Sequence, residues 1–309
     1  MNRICCMILL TAATILLAIP GRFAAAEDRP SSKLAFRRAA DELRFDTGVL
    51  EGTLGEGGKS LGLRPVTHIA SGAKIAGAFG ILSPYRMLTS DARFGTAAWD
   101  WVSKSDLLAD GSARLNWAAD KEHPLEMVGV YRWAADDVLD LKLTVRPQRD
   151  LQRFELFVAS YFNGFPLSLA CVQQPTSENR SYRFMEALKA FGDWQMFPRN
   201  DAAVAISNDG RWSRPPHPVT WKIMPRMAAP LALRRDTTSG LTVVLMSRPN
   251  DCFAVSMPYG EEGHRSVYFS LFGGDLKAEH KASAGVRLVI GTDITDDRAM
   301  ELYRAYIKK

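Results

Sequence analysis

Cysteine is scarce in this 309-residue chain: four residues, two of which, Cys5 and Cys6, stand at the extreme N-terminus. That excludes a disulfide-knotted scaffold. Histidine is equally thin. The five residues, His68, His123, His217, His264 and His280, are far apart in sequence. No H-E-x-x-H, no paired C-x-x-C and no calcium loop occurs, so the sequence implies no metal and no other cofactor. An excess of one charge is also missing. Lys and Arg total 39 against 34 Asp and Glu, a formal charge of +5 with no basic run longer than two. Nucleic-acid binding needs clustered Lys and Arg, and no nucleic-acid partner is expected. Beyond residue 26 no membrane span is expected: the longest uncharged run, Leu156 to Ser177, is interrupted by Asn163, Pro166, Gln173 and Gln174.

What is present is a globular composition, 47% hydrophobic, 24% charged and 10% aromatic. The first 26 residues read as a secretory signal peptide: Arg3 as n-region, an uncharged run from Ile4 to Pro20, then Ala24-Ala25-Ala26 as the cleavage site. The expected mature chain runs from Glu27 to Lys309, is secreted or periplasmic, and keeps no membrane span. Cleavage removes Arg3 and Arg22 but no acid, which lowers the formal charge to +3. Cys171 and Cys252 remain. Cys171 continues the apolar face of Leu167 and Leu169, and Cys252 alternates with Ala254 and Ser256. Both read as small core residues and are expected free rather than paired.

Residues 27–42 read as a linker or short helix, and 43–309 as one all-β domain, a large antiparallel β-sandwich with a C-terminal α-helix. The clearest strand is Val138 to Arg146, where Leu139, Leu141, Leu143 and Val145 share one face and Asp140, Lys142, Thr144 and Arg146 the other. Arg153 to Phe162 is apolar on both faces, as a central strand is. Leu241–Met246, Val267–Phe272 and Val286–Ile290 read similarly. Weaker strand candidates include Ala97–Val102, Ala113–Trp117, Leu125–Trp133, Ala202–Ile206 and Asp251–Met257. Turn signals such as Asp110-Gly111 and Asn208-Asp209-Gly210 separate them. One helix is expected after Thr295, with Asp296 and Asp297 at its N-terminal end and Ala299, Leu302, Tyr303 and Tyr306 as its stripe, closing an edge or end of the sheet. Gln173–Asn200 and Asn208–Pro230 break the strand pattern, and loops of that length tend to carry function.

Two motif matches fail on context. Gly58, Ser60 and Gly62 fit G-x-S-x-G, but glycine-rich sequence precedes them and Arg64-Pro65 follows, where a nucleophile elbow needs a strand and then a helix. Gly55 to Ser60 resembles a P-loop, yet Thr53 stands where that pattern requires glycine. The aromatic distribution is more informative. All seven Trp lie between residues 99 and 221. Trp99 and Trp101, two apart, are expected on one face of a strand. Trp117 and Trp133 read as core, whereas Trp194 and Trp212 lie in irregular segments near Arg199, Arg211 and Arg214.

Ser266 to Phe272, then Gly273 to Lys281, then Ala282 to Ile290 read as two adjacent strands ahead of the helix. With that tail and its many strands, the chain resembles the β-supersandwiches that include galactose-mutarotase-like domains. The resemblance covers most of the mature chain and implies carbohydrate binding on a concave sheet face. Epimerases of that family use a histidine acid and a glutamate base; neither motif is matched here, so no catalytic residue is carried over. The expected function is a carbohydrate-recognising β-sandwich, acting on a polysaccharide or sugar or only binding it. The alternative is a non-catalytic structural or partner-binding envelope protein, with a flat apolar patch in place of a polar pocket. A carboxylate such as Asp100 or Glu126 facing one cavity with His264 favours an enzyme. The expected ligand-binding residues are Arg86, Trp101, Arg199, Arg211 and His264. Arg86 follows Pro84-Tyr85 at a turn. Trp101 offers a ring. Arg199 and Arg211 sit in the two irregular stretches. His264 ends a Gly-Glu-Glu-Gly turn at a cavity rim.

Overall fold

Strict alternation builds the largest sheet. In Val138–Pro147 the side chains of Leu139, Leu141, Leu143 and Val145 are buried, while Lys142 on the opposite face is exposed. This strand pairs antiparallel with Leu125–Ala135 on one side and Ala282–Thr292 on the other. Across the sheet the nine strands run Tyr182–Glu186, Leu167–Gln173, Met227–Arg235, Leu241–Ser247, Ala282–Thr292, Val138–Pro147, Leu125–Ala135, Ala113–Trp117 and Ser103–Leu107. A six-stranded sheet lies across the core, in the order Lys222–Ile223, Trp194–Pro198, Cys252–Pro258, Ser266–Leu276, Leu151–Tyr161 and Ser83–Leu88. A third sheet of five strands, Phe36–Ala39, Glu42–Asp46, Leu50–Leu54, Leu63–His68 and Ala73–Lys74, shares the same hydrophobic cluster. The computed structural model describes residues 34–40, 42–174 and 181–308, which belong to one compact unit. The expected signal peptide and cleavage site, Cys5 and Cys6, and residues 27–33 lie outside the described residues.

The two larger sheets meet through Leu139, Leu141 and Leu143 on one side and Leu156, Val158, Val255, Phe269 and Leu271 on the other. Each such side chain contributes roughly 1.5–3 kcal/mol when buried. Cys171 and Cys252 are free and buried in different clusters. Trp117 and Trp133 are core, as expected. The helix Asp296–Ile307 is capped by Thr295, whose hydroxyl accepts from the Arg298 amide at 3.2 Å. It covers a face of the nine-stranded sheet rather than an edge or end. The outward side chains there, Leu231, Leu233, Val244 and Met246, are apolar, and Ala299, Tyr303 and Tyr306 bury them.

Several local expectations are corrected. Phe36–Ala39, read as linker or helix, is a strand because Phe36 pairs with Phe45 and packs near Trp133. Ala202–Ile206 lies in a helix, Asp201–Ser207, since the Asn200 side chain accepts from the Ala203 amide at 3.0 Å. Gln173–Asn200 contains two strands, Tyr182–Glu186 and Trp194–Pro198. Pro230 is inside Met227–Arg235, at a register irregularity where its missing donor costs no ladder bond. The two tail strands lie in different sheets. Among the described residues, no helix is long and apolar enough to cross a membrane.

Candidate functional site

The outer face of the six-stranded sheet also carries a cluster of apolar and aromatic side chains. Phe157, Ala159 and Tyr161 alternate with the core residues Leu156 and Val158 along Leu151–Tyr161, and Tyr268 joins them from Ser266–Leu276. Phe157 and Tyr268 stack at 4.7 Å. Above this floor is a cavity of about 520 Å³, within the size range of small-molecule sites. At its edge, the strand Ser83–Leu88 carries a bulge: Phe157 pairs with Arg86, and Val158 pairs with Pro84. Tyr85 is the extra residue. A bulge breaks strict alternation, and the neighbours Tyr85 and Arg86 both line the cavity.

The walls and roof are the irregular segments. Ala98–Asp100 is a 3-10 turn rather than a strand, so Trp99 and Trp101 part company. Trp99 enters the cavity and stacks on Tyr85 at 4.2 Å, the planes 1° apart. Its other neighbour is Phe79, at 5.7 Å. Trp101 turns away into the core and packs on His123 at 3.7 Å. The roof is the stretch after the Asp201–Ser207 helix. Trp212 meets Phe157 edge-on at 4.7 Å, and Trp221 meets Trp212 at 5.2 Å. Arg214 ties this roof down by donating to the carbonyls of Thr89 and Ser90. Arg93 donates to the carbonyls of Arg214, Pro216 and Thr96. Burial, with Arg86 nearby, lowers the Arg93 guanidinium to about 10.

Of the five expected site residues, the structure brings Arg86 and His264 into one cavity. Arg86 is 5% exposed, lies over the rings of Tyr85 and Trp212, and donates to the Tyr85 hydroxyl at 3.1 Å. His264 Nδ1–H donates to Glu262 Oε1 at 2.7 Å, and its ring lies 5.5 Å from Trp194. Trp101, Arg199 and Arg211 do not line the cavity. Arg199 donates to the Pro249 carbonyl at 2.6 Å. Arg211 is fully buried between Glu155 and Asp209. It holds the Arg211–Ser213 turn, and therefore Trp212, against the sheet. Its role is positional. Asp100 lines the cavity and pairs with Lys59 at 3.4 Å; Glu126 does not line it and pairs with Arg146.

The hydroxyls of Tyr161 and Tyr268 are 3.3 Å apart, and Ser266 donates to Tyr268 at 2.8 Å. Burial raises both phenols, Tyr268 to about 12, so both are neutral at pH 7. Among the described residues, no group of His, Cys, Asp and Glu could hold a metal ion. The cavity offers flat ring faces, neutral hydroxyls, one buried guanidinium, the imidazoles of His217 and His264, and the Lys59–Asp100 pair.

The fold is paralleled in solved structures. One is a galactose mutarotase-like protein from Lactobacillus casei: TM-score 0.53, 9% identity, covering 81% of this chain and 100% of the other. The chain has the galactose-mutarotase-like fold. A second match to that fold is the Slr1438 protein of Synechocystis, with TM-score 0.50, 12% identity, and coverage of 84% and 98%. An alpha-N-acetylgalactosaminidase from Bifidobacterium bifidum, in complex with GalNAc, matches with TM-score 0.53 and 14% identity. It covers 86% of this chain but only 38% of that longer one. No protein-family model matches the sequence, and no curated protein matches it.

Proposed function

We propose that this chain binds a carbohydrate in the cavity on the outer face of its six-stranded sheet. The carrying observation is the Tyr85–Trp99 stack lining, together with Trp212 and Trp221, a 520 Å³ cavity on a galactose-mutarotase-like fold. Sugar rings present C–H faces that pack on aromatic rings, and their hydroxyls suit the few polar groups of an otherwise apolar pocket. The structural neighbours include a galactose mutarotase-like protein and an alpha-N-acetylgalactosaminidase, which supports the same ligand class. Export is part of the proposal: the N-terminal residue order is that of a signal peptide, and an exported protein meets extracellular polysaccharide. Titrating the protein with a panel of saccharides while following tryptophan fluorescence tests the reading. Saturable quenching that is lost in Trp99→Ala is expected. A flat response across the panel refutes it. Intact mass of the exported protein beginning near Glu27 is expected as well.

A catalytic version has one observation in its favour. His264 is oriented by Glu262 in the cavity that Asp100 also lines, the orienter–base arrangement of general acid–base sites. If it acts on the anomeric centre, His264→Gln abolishes turnover of a bound aldose but leaves its affinity within about two-fold.

A further inference from the structure

The cavity's charge inventory is lopsided. Asp100 is the only carboxylate among its described lining residues, and it is half-exposed beside Lys59. Arg86, by contrast, is 5% exposed, and no carboxylate of the described residues pairs with it. Among the described residues its one hydrogen bond goes to the Tyr85 hydroxyl, and its Nε is buried without a partner. Another cation, Arg93, interacts with it electrostatically, and the donors of Arg93 are taken by backbone carbonyls. A buried charge ordinarily has a counter-charge. The acidic residues on neighbouring elements are committed elsewhere: Glu155 and Asp209 to Arg211, and Glu262 to His264.

We propose that Arg86 is the anion-recognition residue of the cavity, and that the carbohydrate is an acidic one whose uronate carboxylate meets this guanidinium. The inference rests on the carbohydrate reading and narrows it. Aromatic faces hold the sugar ring, and the planar fork of Arg86 receives a planar carboxylate. One unpaired arginine matches one negative charge. A phosphate ester, which carries nearly two charges at pH 7, leaves the second uncompensated. The bulge at Tyr85 places the cation directly beside the stacking platform, as a carboxyl carried on the sugar ring requires.

The test uses the full chain and matched pairs: galacturonate with galactose, glucuronate with glucose, and mannuronate with mannose. Ligand-observed NMR or calorimetry reads affinity, and methyl esters of the three uronates serve as neutral isosteres. In at least one pair the uronate binds about ten-fold or more tightly than both its parent hexose and its ester. Arg86→Met removes that preference, and Arg86→Lys restores only part of it. The ester comparison needs no variant, so the proposal stays testable if Arg86→Met misfolds. Equal affinities within all pairs overturn the inference and leave the carbohydrate reading standing. Binding of none of the sugars overturns both. Tighter binding of a galactose 6-sulfate than of galacturonate overturns the carboxylate assignment. Preference retained in a folded Arg86→Met protein removes Arg86 from the role.

Discussion

Replacing Arg211 with Met leaves Glu155 as an uncompensated charge in the interior. Arg211 is 0% exposed, its Nη1 donates to Glu155 Oε2 at 3.0 Å, and its Nε and Nη2 donate to the two oxygens of Asp209 at 2.9 and 2.8 Å. Glu155 is also 0% exposed, and its second oxygen has no partner. Breaking a buried pair from one side costs about 3–5 kcal/mol. Asp209 is 11% exposed on its side chain and keeps its bond from the Arg211 amide, so it contributes less. The double variant Glu155→Leu, Arg211→Met removes both charges and regains most of the loss, because a packed apolar pair is close to neutral against a buried ion pair. Burial already pushes the Glu155 carboxyl above its ordinary 4.5, with Arg211 opposing; without Arg211 the rise is larger. A carboxyl with a raised folded-state pKa is stable at pH values below its unfolded value. The deficit of Arg211→Met therefore grows as pH rises from about 4.5 toward the folded pKa, by up to about 1.4 kcal/mol per unit. Urea denaturation at pH 5 and pH 8 reads both effects. Equal losses in the single and double variants, or a pH-independent deficit, refute the argument.

Three further outcomes are expected. Trp99→Ala removes a stack at 4.2 Å and lowers saccharide affinity about ten-fold, with a stability loss of about 3–5 kcal/mol for the deleted buried ring; unchanged affinity by fluorescence or calorimetry contradicts the site. Arg234 is buried with Nε and Nη2 unpartnered, and burial lowers it to about 9. Arg234→Met is therefore neutral or stabilising by up to about 4 kcal/mol in chemical denaturation, and a loss above about 2 kcal/mol shows that its single bond to the Phe165 carbonyl dominates. Burial raises both thiols, Cys171 to about 12, so peptide mass mapping finds them unalkylated at pH 8 in the native protein and both alkylated in urea.

The all-β class and the sandwich were legible because period-two alternation is written wherever one face of a strand is wet. Ala113–Trp117 is recovered to the residue, and Val138 to Arg146 to within one. Alternation fails where long-range packing decides. Phe36 carries no local strand signal; its partner Phe45 and the nearby Trp133 supply the reason to be extended. The Asp201–Ser207 helix is short enough that Asn200 as cap is the one local cue.

The site was legible in type and only partly in position. A strand apolar on both faces has two physical explanations: it is sandwiched between layers, or one face floors a cavity. Phe157 and Tyr161 belong to the second case, and the cue was the ring content of that face, which Tyr268 extends on the neighbouring strand. Trp99 and Trp101 show the opposite error. Two residues apart means one face only in a strand, and the 3-10 turn at Ala98–Asp100 sends one ring to the cavity and the other to the core. The arginines divide by burial partners. Arg211 sits in the roof segment, as a ligand residue would, but its two carboxylates spend its charge on holding Trp212 in place. Arg86 sits on a regular strand, yet the bulge turns it inward with no carboxylate to meet it. At the cavity, counting counter-ions separates Arg211, which builds the roof, from Arg86, which is proposed to bind; Arg234, equally without a carboxylate, does not line the cavity.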